Sequence, residues 1–338
     1  MTKRLGTQTV AFTTFPTING YGAIVGKKEG EGPIGDCFDS VEDDEFLGEA
    51  TWEKAETRLF EKGLALVLKK AKITSSDVNY VIAGDLLNQC TASAFGARES
   101  GIPYLGIYGA CSTMAEGLTL AAMITDGGFS ENCIAVAGSH FCSAEKQYRF
   151  PLEYGGQRPP SSQWTVTGVG ATAVGYGGNI YITHATTGKI EDYGITDANN
   201  MGAAMAPAFA STVKAHFEDT GRKPSDYDLI LSGDLGKIGK GIAAELLENE
   251  GYDIRENYND CGVMIFDCGK QDTHSGGSGC GCSASVLCGY VLPKMQAGEI
   301  KNVLFTATGA LMSPTTSQQG ESILAIAHAV ALSTDCNV

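Results

Sequence analysis

Tyr108–Gly117 reads YGACSTMAEG: one cysteine, Cys111, among small residues, with the apolar run IPYLGIY (102–108) before it and the helical pattern STMAEGLTLAAMITDGG (112–128) after it. Small residues at a strand-to-helix turn allow close backbone approach, and a cysteine at a helix N-terminus sits where the helix dipole favours thiolate. The stretch poses a choice between a catalytic nucleophile and a nucleophile site kept for another use.

Working outward, Trp52, Ala55, Leu59, Gly63, Leu66 and Val67 recur at helical spacing and predict an amphipathic helix over 50–72. NYVIAGD (79–85) reads as a strand, TASAFGARESG (91–101) as a short helix, IPYLGIY as a buried strand and NCIAVAGSH (132–140) as the next strand. Strands alternating with helices over short connections imply an α/β fold with a parallel sheet covered on both faces.

The unit then repeats. YDLILSGDLG (227–236) echoes YVIAGDLLN (80–88), and KNVLFTATGAL (301–311) echoes ENCIAVAGSHF (131–141). Cys282 stands to Gly298 and Gly309 at the same intervals as Cys111 to Gly127 and Gly138. An internal duplication of a βαβαβ unit follows, which divides the chain into halves at 1–178 and 179–338. The first half carries an insertion at 141–163, FCSAEKQYRFPLEYGGQRPPSSQ, with neither helical nor strand period; a loop that long in a compact domain is usually functional or disordered, and its aromatics Phe141, Tyr148, Phe150 and Tyr154 argue against disorder. Further on, a strand is predicted over 179–187 and a helix near 199–218.

Composition bounds the function. The chain has 338 residues, 43% apolar, with a formal charge of −15, which argues against nucleic acid and against direct attraction to an anionic membrane. The N-terminal MTKRLGTQTVAFTTF lacks the apolar segment of a signal peptide, and the longest apolar run, ILAIAHAVAL (323–332), is too short for a membrane span. Eleven cysteines in such a chain predict free thiols in a reducing cytoplasm. No CxxC pair occurs, so no metal centre is expected.

A duplicated βαβαβ unit with GACS before the third helix resembles the thiolase and ketoacyl-synthase superfamily, whose layered α-β-α-β-α fold is expected here. Within it, the resemblance is closest to the stage V sporulation protein AD branch. It rests on GPIGDCFD (32–39), AGDLLNQ (83–89), GACST (109–113), SAEKQYRFPLEYGGQ (143–157), TVTGVGA (165–171), GITDANNMGAAMAP (194–207), DYDLILSGDL (226–235), GGSGCGCSA (276–284) and ATGALMSP (307–314), in that order. The resemblance implies a protein of spore-forming bacteria that binds dipicolinic acid, pyridine-2,6-dicarboxylate, alone or as its calcium chelate. It further implies a place in the SpoVA-type system of uptake and release in sporulation and germination, peripheral to the inner spore membrane among membrane-protein partners. Relatives of this fold pair across a strand of the first copy, so a homodimer is expected. No cofactor is implied beyond calcium carried by the ligand.

The superfamily's chemistry needs an activated thiol and two partners from the second copy: a His at a strand end, and a His or Asn before the third helix. Here the strand end is LSGD (231–234), with Asp234, and the turn GCGCSA (279–284) puts Cys280 where the His or Asn belongs. A neutral thiol is a weak donor and a weak acceptor, so a non-catalytic binding protein is expected, with Cys111 a vestigial nucleophile. Two other readings stay open: an acyl transferase using Cys111, and a scaffold for membrane partners with a vestigial pocket.

A planar dianion needs donors and positive charge at both ends. The expected ligand set is Cys111 and Ser112 at one helix N-terminus, Cys280 at the other, His140 and Asp234 at strand ends, Gln147 and Arg149 in the insertion, and Gly168 in TVTGVGA. Arg149, between Tyr148 and Phe150, is the expected carboxylate clamp, since its fork engages a carboxylate with two parallel bonds. Lys146 and Arg158 read equally well as surface charges, and His140 equally well as a structural histidine. Asp234 is also weighed as a calcium ligand, although no calcium-loop spacing supports it.

Overall fold

The structure is a computed structural model and describes residues 3–147, 152 and 157–336. Its strands are β1 (Thr17–Gly26), β2 (Tyr80–Gly84), β3 (Tyr104–Gly106), β4 (Cys133–Ser139), β5 (Gly168–Gly175), β6 (Tyr181–Thr187), β7 (Leu229–Ser232), β8 (Tyr258–Asp260), β9 (Asn302–Leu311) and β10 (Leu324–Ser333). They lie in the order β8-β7-β9-β10-β6-β1-β5-β4-β2-β3. Taken from each end inward, both halves run third, second, fourth, fifth and first strand, so the repeat seen in the cysteine and glycine spacings is a repeat of topology. The apolar run at 323–332 is β10, a strand paired along its length with β9.

The helices are α1 (Trp52–Ala71), α2 (Thr91–Arg98), α3 (Thr113–Asp126), α4 (Phe141–Glu145), α5 (Met201–Thr220), α6 (Gly236–Asn249) and α7 (Cys280–Val286), the last continuing through a wider turn to Gln296. α1 begins at Thr51, whose hydroxyl accepts from Lys54 N, and ends at Lys72 in a left-handed conformation. α3 and α7 pack between the halves inside the largest apolar cluster, with Met114, Leu118, Cys282 and Val286 fully buried. α1 and α2 cover the first half through Leu59, Phe60 and Val67, and α5 and α6 cover the second through Phe209, Phe217 and Leu247. The outcome is helix, sheet, paired central helices, sheet, helix. β4, buried along its whole length, is the kind of strand that such two-sided cover demands.

Three expectations change. The sheet is mixed rather than parallel, since β5 runs antiparallel to β1 and β4, and β10 antiparallel to β9 and β6. IPYLGIY forms only the short strand β3 at the sheet edge, where Leu105 is 42% exposed, rather than a buried strand. The insertion is not devoid of periodic structure, because α4 makes one helical turn directly after β4.

Candidate functional site

Cys111 lies in a single tight turn, Ala110–Ser112, that leads into α3; Ala110 takes a left-handed φ of 48°. The turn is clamped from the second half. Cys280 Sγ donates to Ala110 O at 2.9 Å, and Ser283 Oγ donates to Cys111 O at 3.3 Å. A Cβ on Gly309 would stand 2.1 Å from Gly109 O, so glycine there is what lets the strand end of one half touch the nucleophile turn of the other.

Beside Cys111 stands Asp234, fully buried at the loop after β7. Its Oδ2 accepts from Ser278 Oγ at 2.9 Å and Gly279 N at 3.1 Å, and its Oδ1 accepts from Thr308 Oγ1 at 2.8 Å. Burial pushes its carboxyl up to about 6. Cys111 Sγ lies 3.9 Å from Ser278 Oγ. Burial, and then the charge of Asp234, push the Cys111 thiol well above its usual range. The dipole of α3 therefore does not prevail here: desolvation and an adjacent acid hold the sulfur as a neutral thiol.

Several of the backbone donors expected to receive a ligand are already engaged within the protein. Gly279 N donates to Asp234, Gly281 N to Ser139 Oγ at 3.0 Å, and Ser112 N to Gly109 O at 3.0 Å. An internal carboxyl occupies the anion position between the two central helix termini. Gln163 closes this layer, donating through Nε2 to Asp234 O and Gly277 O.

Above it opens a cleft of about 350 Å³, whose polar lining includes Glu145, Gln147, Thr165, Asn199, Ser317 and Gln318. That volume falls within the roughly 300–1,000 Å³ typical of small-molecule sites. Thr165 connects the two levels: a Cβ on Gly279 would meet its Cγ2 at 3.2 Å, and Gly279 in turn donates to Asp234. Cys111 is reached from the cleft only through this layer; it is not among the lining residues and is only 5% exposed. At the rim, the N-terminus of the 20-residue α5 begins at Asn200, whose side chain does not cap the helix and whose Oδ1 is buried without a partner.

The chain matches the family described as Stage V sporulation protein AD (SpoVAD) over residues 6–333. The chain belongs to the stage V sporulation protein AD family. It is 43% identical over 329 residues to the Stage V sporulation protein AD of Bacillus subtilis (strain 168), spanning 97% of each chain. Among solved structures it resembles 3-oxoacyl-[acyl-carrier-protein] synthase III from Aquifex aeolicus VF5, with TM-score 0.57 and 14% identity over 94% of this chain and 99% of that one. It also resembles OleA of Xanthomonas campestris, with TM-score 0.60 and 13% identity over 96% and 99%. Those likenesses establish the thiolase-like fold, and the family places the protein in sporulation.

Within this stage V sporulation protein AD fold, Cys111, Ser112, Asp234 and Cys280 come together in the buried layer. Gln147 lines the cleft and donates to Leu86 O at 3.1 Å. His140 turns away from Cys111: its Nε2 meets Glu45 O at 2.7 Å, and the residue lines a separate cavity. Gly168 serves packing, since a Cβ on Gly281 would reach its carbonyl oxygen at 2.5 Å. Arg149, with Tyr148 and Phe150, lies outside the described residues. Lys146 pairs with Glu53, and Arg158 donates to Asp272 O at 2.6 Å. Among the described residues no helix is long and apolar enough to cross a membrane, and no group of three or more His, Cys, Asp or Glu could hold a metal ion. Thr165, Thr308, Gln163 and Ser278 were not singled out from the sequence. Threonine, glutamine and serine carry no motif, and their partners lie far along the chain.

Proposed function

We propose that the protein binds dipicolinate, free or as its calcium chelate, in the cleft above Cys111, and does so without covalent catalysis. The observation that carries this reading is the two-level site. The thiol is buried and neutral, faced by an acid where a condensing enzyme needs a histidine, while a cleft sized for a small ligand lies over it. The cleft suits a planar dicarboxylate: Gln147, Asn199, Ser317 and Gln318 offer neutral donors, and the α5 terminus offers backbone N–H groups at the positive end of a long helix. Arg149, two residues beyond Gln147, supplies the carboxylate clamp. Calcium carried by the ligand meets Glu145, the acid of the cleft.

On this reading the protein delivers or receives dipicolinate beside the membrane proteins of the SpoVA-type system, in spore formation and germination, as a peripheral partner at the inner spore membrane. Two copies pair through the β3 edge, where Phe95, Leu105 and Tyr108 are exposed together.

Titration calorimetry with dipicolinate and with its calcium chelate tests the reading. Wild type and Cys111→Ala bind alike, while Gln147→Ala and Arg149→Ala each weaken binding about tenfold or more. Equal affinity in all four proteins refutes the placement. Acyl-CoA that labels Cys111 specifically, seen by intact mass, establishes acyl transfer instead. Absence of any dipicolinate binding, with membrane-partner association intact, establishes the scaffold.

A further inference from the structure

α4 separates two cavities. Its Ala144 and Glu145 face the cleft, whereas its Phe141 and Cys142 face a second, smaller cavity of about 70 Å³. The walls of this second cavity carry charges of both signs, Lys27 and Lys28 against Glu29, Glu42, Asp44 and Glu45.

At one end Lys28 holds its ammonium 3.5 Å from the centroid of the Trp164 ring and pairs with no carboxylate among the described residues. The Arg158 guanidinium lies 4.7 Å from the same centroid, so two cations crowd one indole. Burial, and after it Arg158, push the Lys28 ammonium below its usual range, against the opposing pull of Asp272, Glu29 and Glu31. An anion here relieves that repulsion.

At the other end Glu29 is 1% exposed and accepts from Thr167 N at 3.0 Å. Burial pushes its carboxyl up to about 7, and Glu45 adds to the shift. His140 donates from Nε2 to Glu45 O, which leaves Nδ1 as a buried acceptor without a partner. Two further acids on the wall are already engaged: Glu42 pairs with Lys62, and Asp44 accepts from Phe46 N and Gly48 N. Glu29, which accepts from Thr167 N through Oε1, and Glu45 are the carboxyls the proposal assigns to a cation. Lys28 and the backbone N–H of Thr167 partly offset the buried carboxyl of Glu29, and Nδ1 of His140 remains the buried acceptor here without a partner.

We propose that this cavity is a second ligand site, taking a small zwitterion of the amino-acid class with its carboxylate on Lys28 and its ammonium between Glu29 and Glu45. Size narrows the class. At roughly 10–15 Å³ per water-sized occupant, the volume admits about five to seven non-hydrogen atoms, the size of glycine or alanine. Trp164 supplies the apolar wall for a short side chain.

The site shares no lining residue with the cleft, so it stands or falls independently of dipicolinate. The test follows the indole N–H resonances of the full chain while glycine or alanine is added. The chain has 2 Trp, so Trp52→Phe assigns the Trp164 signal. Acetate and methylammonium serve as probes of each charge alone, and phenylalanine as a probe of size. Saturable shifts of Trp164 with glycine and alanine are expected, at least tenfold weaker with the single-charge probes, absent with phenylalanine, and at least tenfold weaker for glycine in Lys28→Gln. Lys28 lies partly exposed on the rim, so that variant folds even where Glu29→Gln does not. No saturable shift by about 10 mM zwitterion, acetate binding as tightly as glycine, or unchanged glycine binding in Lys28→Gln each overturns the proposal.

Discussion

Replacing Asp234 with asparagine separates the two things this side chain does. As an acceptor it fastens Ser278, Gly279 and Thr308 around the nucleophile turn. As an acid it carries a burial cost that depends on pH. Its folded value of about 6 lies above the ordinary 3.8, so between those values the native state holds more protons than the unfolded chain. Stability from this group is therefore complete below about pH 4 and is lost as pH rises through about 6. Roughly two pK units at 1.36 kcal/mol each make that loss about 3 kcal/mol by neutral pH. The asparagine amide would keep an oxygen toward Thr308 but set an NH₂ group against Gly279 N–H, a loss of about 1–3 kcal/mol that pH does not change. Asp234→Asn should accordingly be the less stable protein near pH 4, and the gap should shrink by about 3 kcal/mol towards pH 7.5, reaching parity or inverting. Urea unfolding of both proteins across that range measures the gap while cancelling every other titrating group. A gap that stays constant, or widens with pH, refutes the claim that a buried, partly protonated acid holds this site together.

Three further outcomes follow from the same geometry. Iodoacetamide on the folded protein should label Cys37, which is exposed, and spare Cys111 until denaturant is added; native labelling of Cys111 at the rate of Cys37, read by peptide mass, contradicts the neutral buried thiol. Gly309→Ala forces a Cβ to 2.1 Å from Gly109 O and should lower stability by roughly 1–3 kcal/mol or more in urea unfolding, whereas Gly241→Ala, with open space around it, should be nearly neutral. Leu105→Lys, on the exposed edge strand, should shift the sedimenting species from dimer to monomer with unchanged circular dichroism, and a protein that sediments as a dimer after this change does not pair through β3.

Much of this architecture is written in local sequence. Helical spacing from Trp52 to Val67 gave α1 its place, and the matching intervals from Cys111 and Cys282 reported the shared topology of two halves, because each interval spans one helix and one strand. The edge position of β3 was not readable, since an apolar run looks the same at the centre of a sheet as at its rim, and only pairing tells them apart. α4 escaped notice because one turn is shorter than any helical period. His140 follows β4 and looked aimed at the pocket, yet side chains of successive extended residues point to opposite faces. Ser139 therefore takes the inward place and accepts from Gly281 N, and His140 goes outward to Glu45.

Asp234, which stands where the resemblance leads one to expect a histidine, also gives the nucleophile turn a structural task. Ala110 in a left-handed conformation and the contact of Gly109 with Gly309 need something to hold the halves together at their closest approach. Here Asp234 draws Ser278, Gly279 and Thr308 onto one carboxyl, and Cys280 and Ser283 bind the backbone of the turn. These contacts join residues more than forty positions apart, and those to the turn itself cross from one half to the other. On the proposed reading, a ligand carboxylate finds its partners in the cleft, at Gln147, Asn199 and the α5 terminus. On that reading, Asp234 in the inner position and a binding surface further out belong together: the side chain fills the space beside the buried sulfur and leaves the cleft for a small anion.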